Sequence, residues 1–280
     1  MQTITLNNGV EMPIIGFGTY QITDPAECER CVVEAVATGY RLIDTAQAYG
    51  NEEAVGAGIA RCGVPREELF ITTKLWFRNY ERDSSLASLE ASLRRLGTDY
   101  VDLVLLHWPF GNTYAAWRAL EELQRDGRTR AIGVSNYAPS QLIDLIEFNE
   151  VVPAVNQVET NLLAQQNALH ELMADKGIAH QAYAPFGQGR ANEMFNLPEV
   201  TAAARAHGKT PRQVALRFMI QRGIGVIPKS THAERMAENL DVFDFELTGA
   251  EMTALASIDT DRPMIGNPQD ATLAASAITW

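Results

Sequence analysis

Short apolar runs alternate with longer stretches of helical periodicity along almost all of the 280 residues. The runs near 14–17, 41–45, 69–74, 101–106, 130–134, 154–158, 178–183 and 224–228 predict strands. Between them, apolar residues at three- and four-residue spacing predict helices near 25–38, 51–62, 84–96, 114–126, 138–149, 165–176 and 210–222. Gly39, Gly63, Gly97, Gly127 and Gly177 fall where helix C-termini need a left-handed residue. Ahead of this alternation, Ile4-Thr5-Leu6 and Val10-Glu11-Met12 flank Asn7-Asn8-Gly9, the pattern of a small hairpin over 3–13. Beyond it come helical stretches near 232–240 and 248–258. The tail 261–280 contains Pro263, Gly266, Asn267 and Pro268 and reads as a loop.

Strand and helix in alternation imply a parallel sheet, either an open doubly wound sheet or a closed barrel. Polar residues end strand after strand: Asp44, Lys74, His107, Ser135 with Asn136, Gln157, and Lys229 with Ser230. A barrel gathers all these ends at one mouth, whereas an open sheet spreads them along an edge. Gly16-Phe17-Gly18 lacks the third glycine of a dinucleotide fingerprint, and Gly56-Ala57-Gly58 lies inside a helical stretch. The expectation is a (β/α)8 barrel of the TIM type, one domain over 1–280, with an N-terminal hairpin and extra helices.

Three of the strand ends carry candidate chemistry. An apolar run stops at Asp44 and Tyr49 follows five residues later, while Lys74 and His107 end two further β-like runs. Each has a bland reading alone: Asp44 can cap a turn, Tyr49 can pack, Asn51 can cap the helix that Glu52 begins, Lys74 can reach solvent and His107 can be a satisfied core residue. Together they read as a site, because a half-buried lysine needs a counter-charge and Asp44 on a neighbouring strand is suited to supply it.

On these residues the chain resembles the aldo-keto reductases, through Asp44 and Tyr49 in DTAxxYGNE, Lys74 in TKLW and His107 in LLHWP. The likeness runs over essentially the whole chain and is nearest to short-loop microbial members such as 2,5-diketogluconate reductases, through Gly187-Gln188-Gly189 and residues 238–244. It implies reduction of aldehydes or reactive ketones with NADPH, with Tyr49 as proton donor, Lys74 lowering the tyrosine pKa, Asp44 holding Lys74, and His107 orienting the carbonyl. It further implies that Ser135, Asn136 and Gln157 hold the nicotinamide carboxamide, that Tyr183 stacks on the ring, and that Gly18, Thr19 and Tyr20 border it. Phe186 and Gln188, with Gly187 and Gly189, would pass the pyrophosphate. Lys229, Ser230 and Arg235, with Thr231 and His232 between them, would surround the 2′-phosphate, and Glu238 and Asn239 would reach the adenine. Tyr20, Tyr49, Trp76, His107, Trp108, Phe110 and Trp280 would line the substrate pocket, the last by way of a tail folded over the mouth. The chain departs from many relatives at Thr160-Asn161-Leu162 and at Arg41-Leu42, which bear on local packing and substrate choice.

Charge and composition narrow the partners. A net charge of −12 repels nucleic acid and anionic lipid, so any phosphate must be held locally. No apolar run approaches a membrane span, no basic and apolar leader opens the sequence, and three cysteines cannot form a disulfide framework; the expectation is a cytoplasmic monomer. Cys28 and Cys31 spell CxxC, but Asp24, Pro25 and Glu27 place them inside a helix, away from the exposed N-terminus that redox pairs use. The five histidines are too scattered for a metal site, which disfavours a metal-dependent hydrolase. A nucleotide-binding regulatory subunit on the same fold is the remaining rival.

Overall fold

The computed structural model describes residues 2–266, 269–277 and 279. An antiparallel hairpin, β1 (Thr3–Thr5) and β2 (Glu11–Pro13), precedes eight parallel strands: β3 (Gly16–Gly18), β4 (Leu42–Asp44), β5 (Phe70–Leu75), β6 (Val101–Leu106), β7 (Thr129–Ser135), β8 (Val155–Glu159), β9 (Ala179–Tyr183) and β10 (Gly225–Val226). They pair in sequence order from β3 to β10. A parallel bridge between Ile15 and Val226, with the Val226 amide bonded to the Ile14 carbonyl at 2.8 Å, then joins the last strand to the first. The sheet is therefore closed, and the barrel reading of the strand ends holds.

Two apolar cores follow from the alternation along each strand. Outward-facing residues such as Ile43, Ile71, Val104 and Ile132 pack under the helices, and inward-facing Leu42, Phe70, Leu103, Leu105 and Val155 pack with Leu6 and Met12 of the hairpin. The hairpin thus plugs the N-terminal end of the barrel. Asn7 and Asn8 fasten it by donating to the carbonyls of Pro153 and Arg130. With the floor filled, the open end is the one where the strands terminate.

The helices come where the spacing placed them, with ends differing by a few residues: Pro25–Thr38, Glu52–Arg61, Arg82–Leu96, Thr113–Arg125, Pro139–Glu147, Asn167–Asp175, Pro211–Gln221, Ala233–Leu240 and Gly249–Ala256. The Asp24 carboxylate caps the first, and Cys28 and Cys31 are buried within it, as the CxxC reading required. Burial pushes the Cys28 thiol up to about 12, which makes it a poor nucleophile.

Two features differ from expectation. Residues 184–209, where the spacing predicts no element, hold the helices Ala191–Phe195 and Pro198–His207, the second opened by a proline and closed by left-handed Gly208. The tail contains a helix, Ala271–Ala277, and not only loop. Its prolines and glycine belong to the approach. Past them Asp270 accepts from the Thr272 and Leu273 amides and an alanine-rich run favours the helix. Trp280 lies outside the described residues, as do Asn267 and Pro268.

Candidate active site

The strand ends meet at the mouth. Asp44 closes β4, Lys74 lies next to last in β5, and His107 follows β6 with its amide bonded to the Leu75 carbonyl at 3.1 Å. Tyr49 ends a single 3₁₀ turn, Gln47–Tyr49. The Lys74 ammonium donates to Asp44 Oδ1 at 2.5 Å, to the Thr45 carbonyl at 3.0 Å and to the Tyr49 hydroxyl at 3.2 Å. Lys74 and Asp44 are both out of contact with water, so these three acceptors replace the hydration the ammonium has lost.

Burial lowers the Lys74 pKa, and the Asp44 charge and hydrogen bond oppose that. At the Tyr49 oxygen the Lys74 ammonium, expected to lower the pKa, is opposed by two other influences. Burial pushes it well above 10, and the charge of Asp44 adds to the rise. The carboxylate that holds the lysine also repels a phenolate beside it, so in the ligand-free protein Tyr49 is a fully protonated acid. His107 is held well below the usual imidazole range, first by burial and then by Lys74, and is neutral. Its Nδ1 is buried with no hydrogen-bond partner among the described residues.

The residues around Tyr49 clamp its turn. Asn51 stands at the helix start, but its amide does not cap the helix; it accepts from Thr45 Oγ1 and donates to the carbonyls of Thr19 and Ile22. Glu52 is buried and accepts from Thr73, Ser92 and Arg95. Gln47 accepts from the Trp76 amide and donates to Ser88 and Ser92. These amides and carboxylates join the turn to the neighbouring loop, to β5 and to the helix Arg82–Leu96, a role no spacing in the sequence signals.

Several of the aromatic candidates lie close together. Ring centroids lie 4.9 Å apart for Tyr20 and Tyr49, 5.8 Å for Tyr49 and His107, 5.3 Å for Trp76 and His107, and 5.5 Å for stacked Trp108 and Phe110. Phe77, not anticipated, links Trp76 to Phe110. The expected tail approaches this end: buried Glu159, ending β8, accepts from the amides of Met264 and Ile265.

Register brings together the residues expected to hold the carboxamide, since Ser135 pairs with Gln157, and Gln157 with Gln181, on adjacent strands. Ser135 donates to the Gln157 carbonyl at 2.8 Å, Tyr183 donates to Asn136 Oδ1 at 2.8 Å, and Asn136 donates to the His107 carbonyl. Thr19 spends its hydroxyl on the Asp44 carbonyl, while Gly18 lies against the backbone of Ile227 and Pro228. Tyr20 is half exposed at the rim. Across the mouth, Phe186 packs edge-on against Phe195. Gln188 and Gly187 have φ of 45° and 65°, and a Cβ on Gly187 would meet Met264 and Met194 within 2.9 Å.

The phosphate candidates cluster at the start of the helix Ala233–Leu240, whose N-cap is His232. Ser230 bonds the His232 amide, and Thr231 accepts from Arg30. Lys229 and Arg235 are exposed and pair with no carboxylate among the described residues. Glu238 accepts from Thr210, and the buried Asn239 Oδ1 has no hydrogen-bond partner among the described residues. Two unpaired cations on a protein of charge −12, beside an unsatisfied buried amide oxygen, fit a phosphorylated adenine nucleotide. Among the described residues no group of His, Cys, Asp and Glu could hold a metal ion.

The sequence model of the Aldo/keto reductase family matches residues 14–260. An aldo-keto reductase of Mycolicibacterium smegmatis is 46% identical over 269 residues, covering 95% of this chain and 96% of that protein. The glyoxal reductase of Bacillus subtilis is 42% identical over 269 residues, with 96% of each chain covered. The crystal structure of a Bombyx mori aldo-keto reductase in complex with NADP is 36% identical, superposes with a TM-score of 0.90, and covers 95% of both chains.

Proposed function

The chain belongs to the aldo/keto reductase family, and from that membership and the polar chain at the mouth we propose that it reduces aldehydes or reactive ketones to alcohols with NADPH, Tyr49 donating the proton. The observation that carries the assignment of roles is the hydrogen-bonded sequence Asp44, Lys74, Tyr49, which runs from two buried charges to a partly exposed hydroxyl. Bound NADPH supplies the hydride, since no side chain does. Lys74 donates to the Tyr49 oxygen, so the hydrogen on that oxygen is left to point elsewhere, toward a carbonyl in the mouth. When it leaves, the ammonium at 3.2 Å stabilises the phenolate that burial and Asp44 otherwise penalise. Neutral His107 orients the carbonyl oxygen by hydrogen bonding, which an imidazolium beside Lys74 would not do without repulsion.

The family's cofactor surface maps onto Ser135, Asn136, Gln157 and Tyr183 for the nicotinamide, Phe186 and Gln188 for the pyrophosphate, and residues 229–239 for the phosphorylated adenosine. Rings of Tyr20, Trp76, Trp108 and Phe110 favour compact or apolar carbonyls over extended polar ones. We read the protein as a cytoplasmic monomer acting through one domain, consistent with buried, unbridged thiols at Cys28 and Cys31. Following NADPH absorbance across a panel of aldehydes, ketones and dicarbonyls, glyoxal included, tests the reaction. Tyr49→Phe should lower turnover at least about 100-fold while NADPH affinity changes little, because the ring stays and the acid goes. Near-normal turnover by that variant would remove Tyr49 from the role. Tight NADPH binding without turnover of any carbonyl would favour a nucleotide-sensing subunit.

A further inference from the structure

Gln157 and Gln181 extend the buried polar chain across the barrel. Gln157 is 1% exposed, and its side-chain nitrogen lies 2.8 Å from Asp44 Oδ2 and 2.8 Å from Gln181 Oε1. Asp44 bonded to an ammonium is ionised and can only accept, so the group facing it must be the Gln157 NH2. Both hydrogens of that NH2 are then committed, one to Asp44 and one to Gln181. The Gln157 Oε1 has no hydrogen bond among the described residues. An amide whose two donors are both tied down cannot flip, and its single acceptor has a fixed direction.

Gln181 is held in turn. It is 1% exposed, pairs in register with Gln157 on β8, and donates to the thioether of Met12 in the hairpin at 3.6 Å. A second amide in an interior otherwise lined by Leu42, Phe70, Leu103 and Leu105 is costly unless its groups are satisfied. The Gln157 contact satisfies it, and the two amides each fix the other's orientation.

We propose that Gln181 is a positioning residue for cofactor recognition: by accepting from the Gln157 NH2 and leaving Asp44 as its other acceptor, it keeps Gln157 Oε1 as a dedicated acceptor for the nicotinamide carboxamide NH2. This rests on the reading of Gln157 as a carboxamide ligand. It also makes the carboxamide site and the proton-donating chain one network, running Gln181, Gln157, Asp44, Lys74, Tyr49. Without Gln181, one Gln157 hydrogen loses its acceptor and the side chain can re-aim, so the acceptor it offers to the carboxamide is no longer held in one direction.

The test compares binding of NADP+ and its 3-acetylpyridine analogue, in which a methyl group replaces the carboxamide NH2. Affinities are measured by titration calorimetry for the wild type, Q181M and Q181L. Both replacements are apolar and of similar size beside Met12, and Met keeps the length of the side chain. The wild type should favour NADP+ by about 3- to 10-fold, the worth of one hydrogen bond. In the variants the preference should fall to about 2-fold or less through weaker NADP+ binding, with analogue affinity unchanged. A preference kept at its wild-type size in Q181M and Q181L, or a parallel loss for both ligands, overturns the proposal, since a merely structural Gln181 produces those results. A wild type that binds the two ligands equally removes the carboxamide reading of Gln157 and the proposal with it.

Discussion

Lys74 has no solvent exposure and persists as a cation because Asp44, the Thr45 carbonyl and Tyr49 surround its ammonium. Removing one member of such a pair costs more than removing both, because the remaining charge is buried without a partner. Lys74→Met should therefore lose about 3–5 kcal/mol of stability as well as turnover, and adding Asp44→Asn should restore much of the stability and none of the turnover. Denaturant melts and NADPH oxidation measure the two effects. If the double variant is no more stable than Lys74→Met, the pair is not the reason for the loss. Arg235, which we propose reads the 2′-phosphate, should act separately. Arg235→Ala should weaken NADPH by about 10-fold or more, the scale of a charge-assisted bond to the 2′-phosphate, and leave NADH nearly unchanged. Equal weakening of both would show that Arg235 does not read that phosphate.

Between β9 and the helix Asn167–Asp175, two imidazoles meet. His170 and His180 approach through their Nδ1 atoms at 3.1 Å, and His180 Nε2 lies 2.8 Å from Thr160 Oγ1. Burial lowers both pKa values. His180 is held well below the ordinary 6.5, with His170 and Arg222 adding to the effect, and for His170 Arg222 lowers while Glu171 raises. The folded state thus takes up these protons less readily than the unfolded chain, so the unfolded state binds more of them as pH falls through about 6.5. Their contribution to stability is complete above that pH and is lost below it. The melting temperature should fall between about pH 7.5 and pH 5, and His180→Gln should reduce the fall by removing one of the two sites. An identical acid loss in both proteins would place the sensitivity elsewhere.

Across the whole molecule, barrel closure and the hairpin plug separate stability from chemistry. Leu6 is buried against the barrel floor, at the end opposite the mouth, and Leu6→Ala should cost about 2–4 kcal/mol from the cavity it leaves. NADPH oxidation at 25 °C should be unchanged, and a loss of turnover in the folded variant would contradict that separation. The strands, the helix starts and the polar strand ends are legible in the sequence because local physics sets them: short apolar runs, helical spacing, caps such as Asp24, and motifs of short span. The short helices after β9 were missed because the loop signals around them outweighed so few periodic residues, and the tail helix because prolines and glycine precede it. The contacts between distant strands belong to the tertiary structure alone. Whether Gln157 meets Asp44 across 113 positions depends on closure of the barrel. The rise in the Tyr49 pKa likewise comes from the fold, which sets the tyrosine beside Asp44. Sequence spacing determines which residues end the strands; only the closed fold decides how far apart their side-chain atoms lie and how much water is left between them, and those two quantities set the chemistry.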